Sequence, residues 1–446
     1  MRLLPTDLLA TRPGRLATFF LLYVSEGIPL GFTATAIATH MRRDGIDPAV
    51  IGYYVGSLYL PWAFKWVYGP IVDTLTSARF GRRRTWIVGS QVLMIVTLLA
   101  TLPIDVAHSV GLLTTVMFLH NVFAATQDVA IDALAVQVLP PEERGTANGF
   151  MFGGQAVGQA IGGAGMLWLA SWITFEGTFF AAAAALALIL VGVSWQIRES
   201  SPTMPQRGDG GPLTRVGRDL QKFVQAAGRA FVGSRAAFVA VGFAILPLGA
   251  YALSLALQSS LAVELGLDDT RIATLAFYSS LLSAIGCVIG GWLSDRFGRR
   301  RMIALFVIST AVPTVWLATT MQAVGYVMPL AVAQNAIESN AALIPTFWIA
   351  TLAFNFCQGL TYGSSSALYM DVTTPAVAAT QFSAYMALNN LVTTYTATWQ
   401  GLGTVTWGYP TTLALDALAG IVCIVLLPWM GVARNAASPL AAPQRA

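Results

Sequence analysis

Apolar stretches alternate with short polar breaks along this chain, and the spacing of the breaks predicts its elements. Crossing the hydrocarbon of a bilayer takes about 20 mostly apolar residues in a helix. Stretches of that kind fall near 16–40, 50–72, 84–104, 109–138, 146–172 and 174–196. They return near 236–263, 271–294, 302–321, 341–371, 377–400 and 409–432. The pattern predicts an all-α membrane protein of twelve transmembrane helices in two pseudo-symmetric six-helix bundles, 1–197 and 236–446. Between them, 198–235 opens on the Pro/Gly/Ser-rich "SSPTMPQRGDGGP" and runs into "LTRVGRDLQKFVQAAGRAF". The second stretch has a helical apolar period and a basic face, so it reads as an amphipathic helix on the membrane surface.

Composition excludes a water-exposed body. Of the 446 residues 56% are hydrophobic and only 10% charged, against about 25% charged in soluble domains. The 25 Lys and Arg then become a topology signal. Arg42, Arg43 and Arg271 fall in odd-numbered loops and Lys65 inside a span; all the others lie in the termini and even-numbered loops. Positive loops mark the cytoplasmic face, so both termini are expected there, in a cell inner membrane. The net charge of +4 gives no argument for nucleic acid. Cys287, Cys357 and Cys423 sit in apolar runs and read as small buried hydrophobes. With three histidines no metal cluster is expected, and no cleavable signal peptide or cofactor is expected either.

Two arginine clusters interrupt the hydrocarbon at equivalent places, between spans 2 and 3 and between spans 8 and 9. They read "GPIVDTLTSARFGRRR" (69–84) and "GWLSDRFGRRR" (291–301). The first copy carries an insertion between Asp73 and Gly81. Glycines Gly69, Gly291 and Gly298 suit close backbone approach or a tight turn. Asp73 and Asp295 suit an Arg partner or the positive N-terminus of a neighbouring helix, with Arg82, Arg83, Arg296 and Arg299 beside them. A plain positive-inside anchor would explain arginines alone; the Asp, the glycine spacing and the repetition point to a gating latch. No strand or phosphate-loop lysine surrounds either cluster, so a nucleotide site is not expected.

These residues resemble the loop signature of the major facilitator superfamily, and the six-plus-six plan fits that family over nearly the whole chain. "SEGIPLG" (25–31), "KWVYGPIVD" (65–73), "ATQDVAIDALAVQVLPPEERG" (125–145) and "AATQFSAYMALNNL" (378–391) are similar to its AmpG-like branch. That branch holds muropeptide permeases, siderophore importers and acetyl-CoA transporters. The resemblance implies a transporter with Lys65 and the Gln127–Asp128 pair at family positions. It departs in "FNFCQGLTYG" (354–363), where Asn355 and Gln358 stand in place of the family's span-10 acid.

A charge at mid-bilayer costs at least about 2.5–3.5 kcal/mol, so each one asks for a partner or a task. The candidates are Glu26, Lys65, His120, Asp128 and Asp132. Asp128 and Asp132 are one helical turn apart on one face. Two such carboxylates cannot both stay ionised cheaply, so one is expected to hold a proton, and Asp128 is the leading proton-coupling residue. The alternative for Asp132 is pairing with Arg144. Lys65 and Glu26 suggest an ion pair, structural or functional. Pro29 would break span 1 and free carbonyls, and His120 reads as a packing residue.

Neutral polar groups supply candidate solute contacts: Gln155 and Gln159 in span 5, then Asn355, Gln358, Tyr362, Ser364, Asn389 and Asn390. Trp62, Trp66, Tyr59 and Tyr369 could stack on a ring. Charge thus sits in the first half and neutral polarity in the second. No ATP motif is present, so the expected function is secondary transport of a bulky polar solute by alternating access, driven by protons. Export in place of import, a siderophore or an acyl-CoA remain alternatives. A membrane enzyme lacks a nucleophile to complete His120 and Asp128, and a receptor lacks a soluble domain. A monomer is expected.

Overall fold

The computed structural model describes residues 7–44, 46, 48–74, 81–105, 108–199, 225, 228–253, 256–267, 269–326 and 337–430. The surface helix expected in 198–235 falls mostly outside these residues, as does the side chain of Trp66. Helix fills each of the expected segments. In order they are α1 (Arg12–Gly31), α2 (Pro48–Ala63), α3 (Lys65–Thr74), α4 (Arg84–Ala100), α5 (Val110–Val138), α6 (Arg144–Ala160) and α7 (Phe175–Gly192). There follow α8 (Arg235–Ile245), α9 (Ala256–Glu264), α10 (Asp269–Phe297), α11 (Arg299–Ala323), α12 (Ile337–Val372), α13 (Ala378–Trp407) and α14 (Tyr409–Ile421). Among the described residues, seven helices are long and apolar enough to cross a membrane. α4 and α8 are shorter apolar helices. α13 runs 30 residues but is lined with Thr, Asn and Gln.

Three segments differ from their sequence reading. Pro29 does not break α1. The helix runs through it and widens into a π-turn at Phe32–Ile37, and the Thr33 hydroxyl donates to the Pro29 carbonyl at 2.8 Å. The stretch 50–72 is two helices, α2 and α3, meeting at Phe64. The seventh stretch, expected to be continuous over 236–263, is interrupted between α8 and α9. There Gly249 takes φ +91°, a left-handed conformation that glycine adopts without steric cost. The freed backbone is satisfied from neighbouring helices, as hydrocarbon demands. The Gly249 N–H donates to the Gly420 carbonyl at 3.1 Å and Ala250 N–H to the Thr310 hydroxyl at 2.9 Å. Tyr251 and Ala252 N–H donate to Asp416 at 2.7 and 2.9 Å.

The N-terminal helices are organised around α1, α5 and α6. Leu22–Pro29 of α1 and Gln127–Val136 of α5 are buried on every face, the condition of a helix enclosed by others. α6 touches α1 on one side and α10 on the other through glycines that let backbones meet. A Cβ on Gly158 would stand 2.4 Å from the Val24 carbonyl oxygen, and one on Gly145 would stand 2.4 Å from that of Gly291. A second contact joins the N- and C-terminal helices where Gly69 of α3 meets the backbone of Thr380 on α13. The large side chain of Gly158→Leu has no room at this crossing. It is expected to destabilise the protein by about 1–3 kcal/mol or more, read as a lowered melting temperature in detergent.

Candidate functional site

Burying α1, α3 and α5 together carries four ionisable side chains into the N-terminal helices. Glu26, Lys65, Asp128 and Asp132 expose 1, 5, 3 and 1% of their surface. Lys65 Nζ donates to Asp128 Oδ2 at 2.8 Å and lies 3.9 Å from Asp132 Oδ2. The Tyr23 hydroxyl donates to Asp132 Oδ1 at 2.5 Å. Gln155 Nε2 of α6 donates to Glu26 Oε1 at 2.5 Å, whereas Glu26 Oε2 is buried with no hydrogen-bond partner. Next to this cluster, Ser25 Oγ accepts from Gln127 Nε2 at 2.8 Å and Gln91 Nε2 at 2.9 Å. One ammonium therefore faces three carboxyl groups, and neutral donors hold the rest.

On the side of the cluster away from the arginine loops lies a cavity of about 760 Å³. Leu30, Tyr59, Trp62, Ala63 and Gln155 line it from the N-terminal helices. α13 supplies the opposite wall, including Leu388, Asn390, Leu391, Thr393 and Thr394. Among the described residues the lining is apolar and aromatic with a few neutral polar groups and carries no charged side chain, a composition usual for small-molecule sites. The indole N–H of Trp62 is buried without a hydrogen-bond acceptor. Gln155 belongs to the cavity wall and to the acid cluster at once.

The arginine clusters close the other end. Asp295 Oδ1 accepts from the Gly145 N–H at 2.9 Å, and its Oδ2 from Thr146 N–H and hydroxyl at 2.6 and 2.7 Å. That carboxylate caps the N-terminus of α6. Asp73 does the same to α13, accepting from Thr380 N–H and hydroxyl at 3.0 Å each. Arg83, fully buried, donates to Asp73 Oδ1 at 2.5 Å and to the Val72 carbonyl at 2.9 Å. Arg82 donates to the Asp73 carbonyl at 2.8 Å. Arg299 donates to Asp295 at 2.9 Å and also to Asp371. Arg144 donates to Asp371 Oδ1 at 3.0 Å. Each Asp sits on helices of one end of the chain and caps a helix of the other.

With this geometry, the comparisons with known proteins decide the family. The model of the Major Facilitator Superfamily matches residues 17–392 and 239–446. The chain belongs to the major facilitator superfamily. It is similar to the anhydromuropeptide permease of Escherichia coli (strain K12), 25% identical over 93% of this chain and 79% of that one. A putative transporter AmpG 4 of Rickettsia conorii is 26% identical over 64% of this chain and 68% of its own length. Among solved structures, the proton:xylose symporter XylE superposes with a TM-score of 0.67 at 13% identity, covering 94% of this chain and 96% of that one. The human organic anion transporter MFSD10 gives 0.61 at 12%, covering 94 and 100%. The fold is that of the superfamily, and the chain is a membrane transporter similar to AmpG-like permeases.

Within this superfamily fold, several residues stand elsewhere than the sequence suggests. Lys65 pairs with Asp128 and not with Glu26, because Gln155 already occupies Glu26 and the face of α5 brings both aspartates to the ammonium. Asp132 lies with Tyr23 and Lys65, while Arg144 goes to Asp371 across the seam. Gln127 belongs to the Ser25 hub and Gln159 is exposed, so neither lines the cavity. Asn355 bonds back to the Thr351 carbonyl at 2.8 Å, and Gln358 is buried with a free carbonyl oxygen. Asn389 accepts from the Tyr369 hydroxyl at 3.0 Å, and Tyr369 stacks on Tyr385. Tyr362 packs edge-on against Phe152, with ring centres 5.3 Å apart. His120 bonds Thr97 and the Met94 carbonyl of α4, a packing role. Arg296 is exposed beside the Trp292 and Phe297 rings and takes no part in the seam.

Other residues escaped the sequence reading. Asp416 is 1% exposed in the C-terminal helices, which corrects the expectation that buried charge is confined to the first half. It accepts from Tyr251, Ala252 and, at 2.7 Å, from Gln400 Nε2. Arg144, Asp371, Thr146 and Thr380 complete the seam, and Glu199 gathers the N–H groups of Arg82, Arg83 and Arg84 at 2.5 to 3.0 Å. Of these Asp416 had a sequence signal, a lone acid in an apolar run, and Arg144 reads in sequence as a possible partner for Asp132 where its acid is Asp371. Removing Lys65 alone leaves the acids without a cation, so Lys65→Met is expected to cost about 3–5 kcal/mol. The pair Lys65→Met/Asp128→Asn should recover a large part of that loss, measured as unfolding transitions in one double-mutant cycle.

Proposed function

We propose that this transporter is a proton-coupled importer of a bulky polar solute, an anhydro-muropeptide being the leading candidate, working by alternating access. The observation that carries the reading is the buried Lys65–Asp128–Asp132–Glu26 group set directly against a cavity walled by both ends of the chain. A lysine and three carboxyl groups out of water cannot hold all their charges cheaply. The group approaches neutrality when protons occupy some of the carboxyls, which is the property a proton carrier needs. One proton entering through about 100 mV releases about 2.3 kcal/mol, enough for a roughly fifty-fold solute gradient.

The seam supplies the gate in this reading. The caps made by Asp73 on α13 and Asp295 on α6, with Arg83, Arg299 and Arg144, hold the arginine-rich end shut while the cavity lies beyond them. Opening that end requires the two helix-terminal caps and their ion pairs to part together. The excess of positive loops supports a cytoplasmic position for that end. The solute class follows from the cavity wall. Aromatic faces at Trp62 and Tyr59 with Asn390, Thr393 and Thr394 suit rings bearing hydroxyl and amide groups. Among the described residues the lining holds no Lys or Arg to meet the phosphates of an acyl-CoA. The anhydromuropeptide permease relative points to the same solute.

Proteoliposomes test this. Labelled anhydro-muropeptide is expected to accumulate inside when the outside is acidified, and a protonophore should abolish accumulation. Asp128→Asn should lose gradient-driven accumulation as well. Accumulation that ignores the protonophore and survives Asp128→Asn excludes proton coupling at this site. A ferric siderophore or an acyl-CoA accumulating in place of the muropeptide reassigns the solute.

A further inference from the structure

Among the described residues, Gln155 is the one side chain that lines the cavity and also bonds a buried carboxyl group. Its Nε2 donates to Glu26 Oε1, and the other oxygen of that carboxyl, Oε2, has no hydrogen-bond partner and no water-accessible surface. Glu26 itself is 1% exposed and does not appear in the cavity wall. Gln155 therefore stands between the solute space and an acid that is half satisfied. The groups facing Glu26 are Lys65 on α3, Asp128 and Asp132 on α5, Tyr23 on its own helix and Gln155 on α6. Lys65 is already drawn to Asp128, so the amide of Gln155 is the donor bonded to Glu26.

We infer that Gln155 couples solute to proton: it is a positioning residue whose amide N–H is shared between Glu26 and a hydrogen-bond acceptor on the solute. The inference rests on the proton-coupled reading above and names the chemistry of its coupling step. With the cavity empty, the Gln155 N–H donates to Glu26 and stabilises the carboxylate. A solute presenting a carbonyl or hydroxyl oxygen competes for that N–H. Glu26 then loses its donor beside two other carboxyl groups and one ammonium, and the displaced amide uncovers it toward the cavity, from which the carboxylate takes up a proton. Release of the solute returns the amide to Glu26, and the proton leaves to water. Linkage makes this reciprocal, so a proton on Glu26 tightens solute binding by the same factor that solute tightens proton binding. Solute and proton then move in the same direction. Gly27 makes the arrangement possible: a Cβ there would lie 2.1 Å from the Gln155 carbonyl oxygen, so no other residue lets α1 carry Glu26 this close to α6.

The test uses full-length protein in proteoliposomes with labelled anhydro-muropeptide and two readouts. One is exchange of labelled for unlabelled solute with no gradient, which needs no net proton movement. The other is accumulation driven by an acid exterior. Gln155→Leu removes a solute hydrogen bond as well, so exchange is expected to weaken by a few-fold through a raised KM, while accumulation falls by a further roughly ten-fold, within the usual range of coupling energies. The KM of exchange, falling with acidification in the wild type, should become flat with pH in the variant. An equal loss of exchange and accumulation with the wild-type pH profile kept would make Gln155 only a solute contact, and retention of both with that profile would remove it from coupling. Either outcome overturns the inference and leaves the transport reading standing. Wild-type protein that moves no anhydro-muropeptide overturns the reading itself, and the inference with it.

Discussion

The N-terminal helices depend on one contact, the Lys65–Asp128 pair at 2.8 Å with two further acids around it. Bringing four ionisable groups out of water is costly unless each finds a partner, and the surrounding structure is arranged to provide those partners. Tyr23 reaches Asp132 from α1 to α5, and Gln155 reaches Glu26 because α1 runs against α6 at backbone distance. Gly27 and Gly158 set that distance. The glycine-rich stretch of α6 therefore does more than pack two helices. It fixes the reach of the Gln155 side chain, and through it the surroundings of Glu26. The buried charge and the close helix crossing are one design, since neither is stable without the other.

The opposite end uses the same chemistry for a different purpose. Asp73 and Asp295 occupy matching places in the two arginine clusters, and each caps a helix belonging to the other end of the chain. A helix N-terminus is a site of partial positive charge with unpaired N–H groups. A carboxylate there, backed by arginine, makes a contact that is strong when aligned and lost when the helices separate. The second seam is reinforced further, because Asp371 accepts from Arg144 of the N-terminal helices and Arg299 of the C-terminal ones. The first relies on Arg83 alone at full burial, with Glu199 holding the backbone that presents it. The duplicated motif has thus kept its cap and varied its support.

How much of this was legible follows from what each signal measures. Hydropathy located the helical segments, since a membrane helix must be apolar over its whole length, and the Asp128/Asp132 spacing placed both acids on one face, which the structure turns toward Lys65. Hydropathy averages over a window, however, so it smoothed over the break after Ile245, where the polar cost is met by Asp416, Thr310 and Gly420 from distant parts of the chain. Pairing across helices was equally hidden. Glu26 and Lys65 look like partners in sequence because they have opposite charges in adjacent spans. Their separation follows from α6 reaching Glu26 first, a fact of packing that no local pattern encodes. The arginine clusters announced a latch, but the donors to its aspartates, Thr146 and Thr380, are ordinary residues whose role comes only from standing at a helix start.

The two buried acids that sequence reading treated least surely, Glu26 and Asp416, separate by how completely they are satisfied. Asp416 accepts two backbone N–H groups and one side-chain amide, with no cation among those donors. Those bonds hold the unwound chain between α8 and α9, so any change in its charge disturbs the fold. Glu26 has one donor and one bare oxygen, and no backbone leans on it. A carboxyl group that exchanges a proton every cycle has to change state without unfolding its surroundings. By that criterion the C-terminal acid belongs to the scaffold, and under the proposed proton coupling the N-terminal one belongs to the working cycle. That proposal can therefore confine proton exchange to the N-terminal helices although the C-terminal ones bury an acid as well.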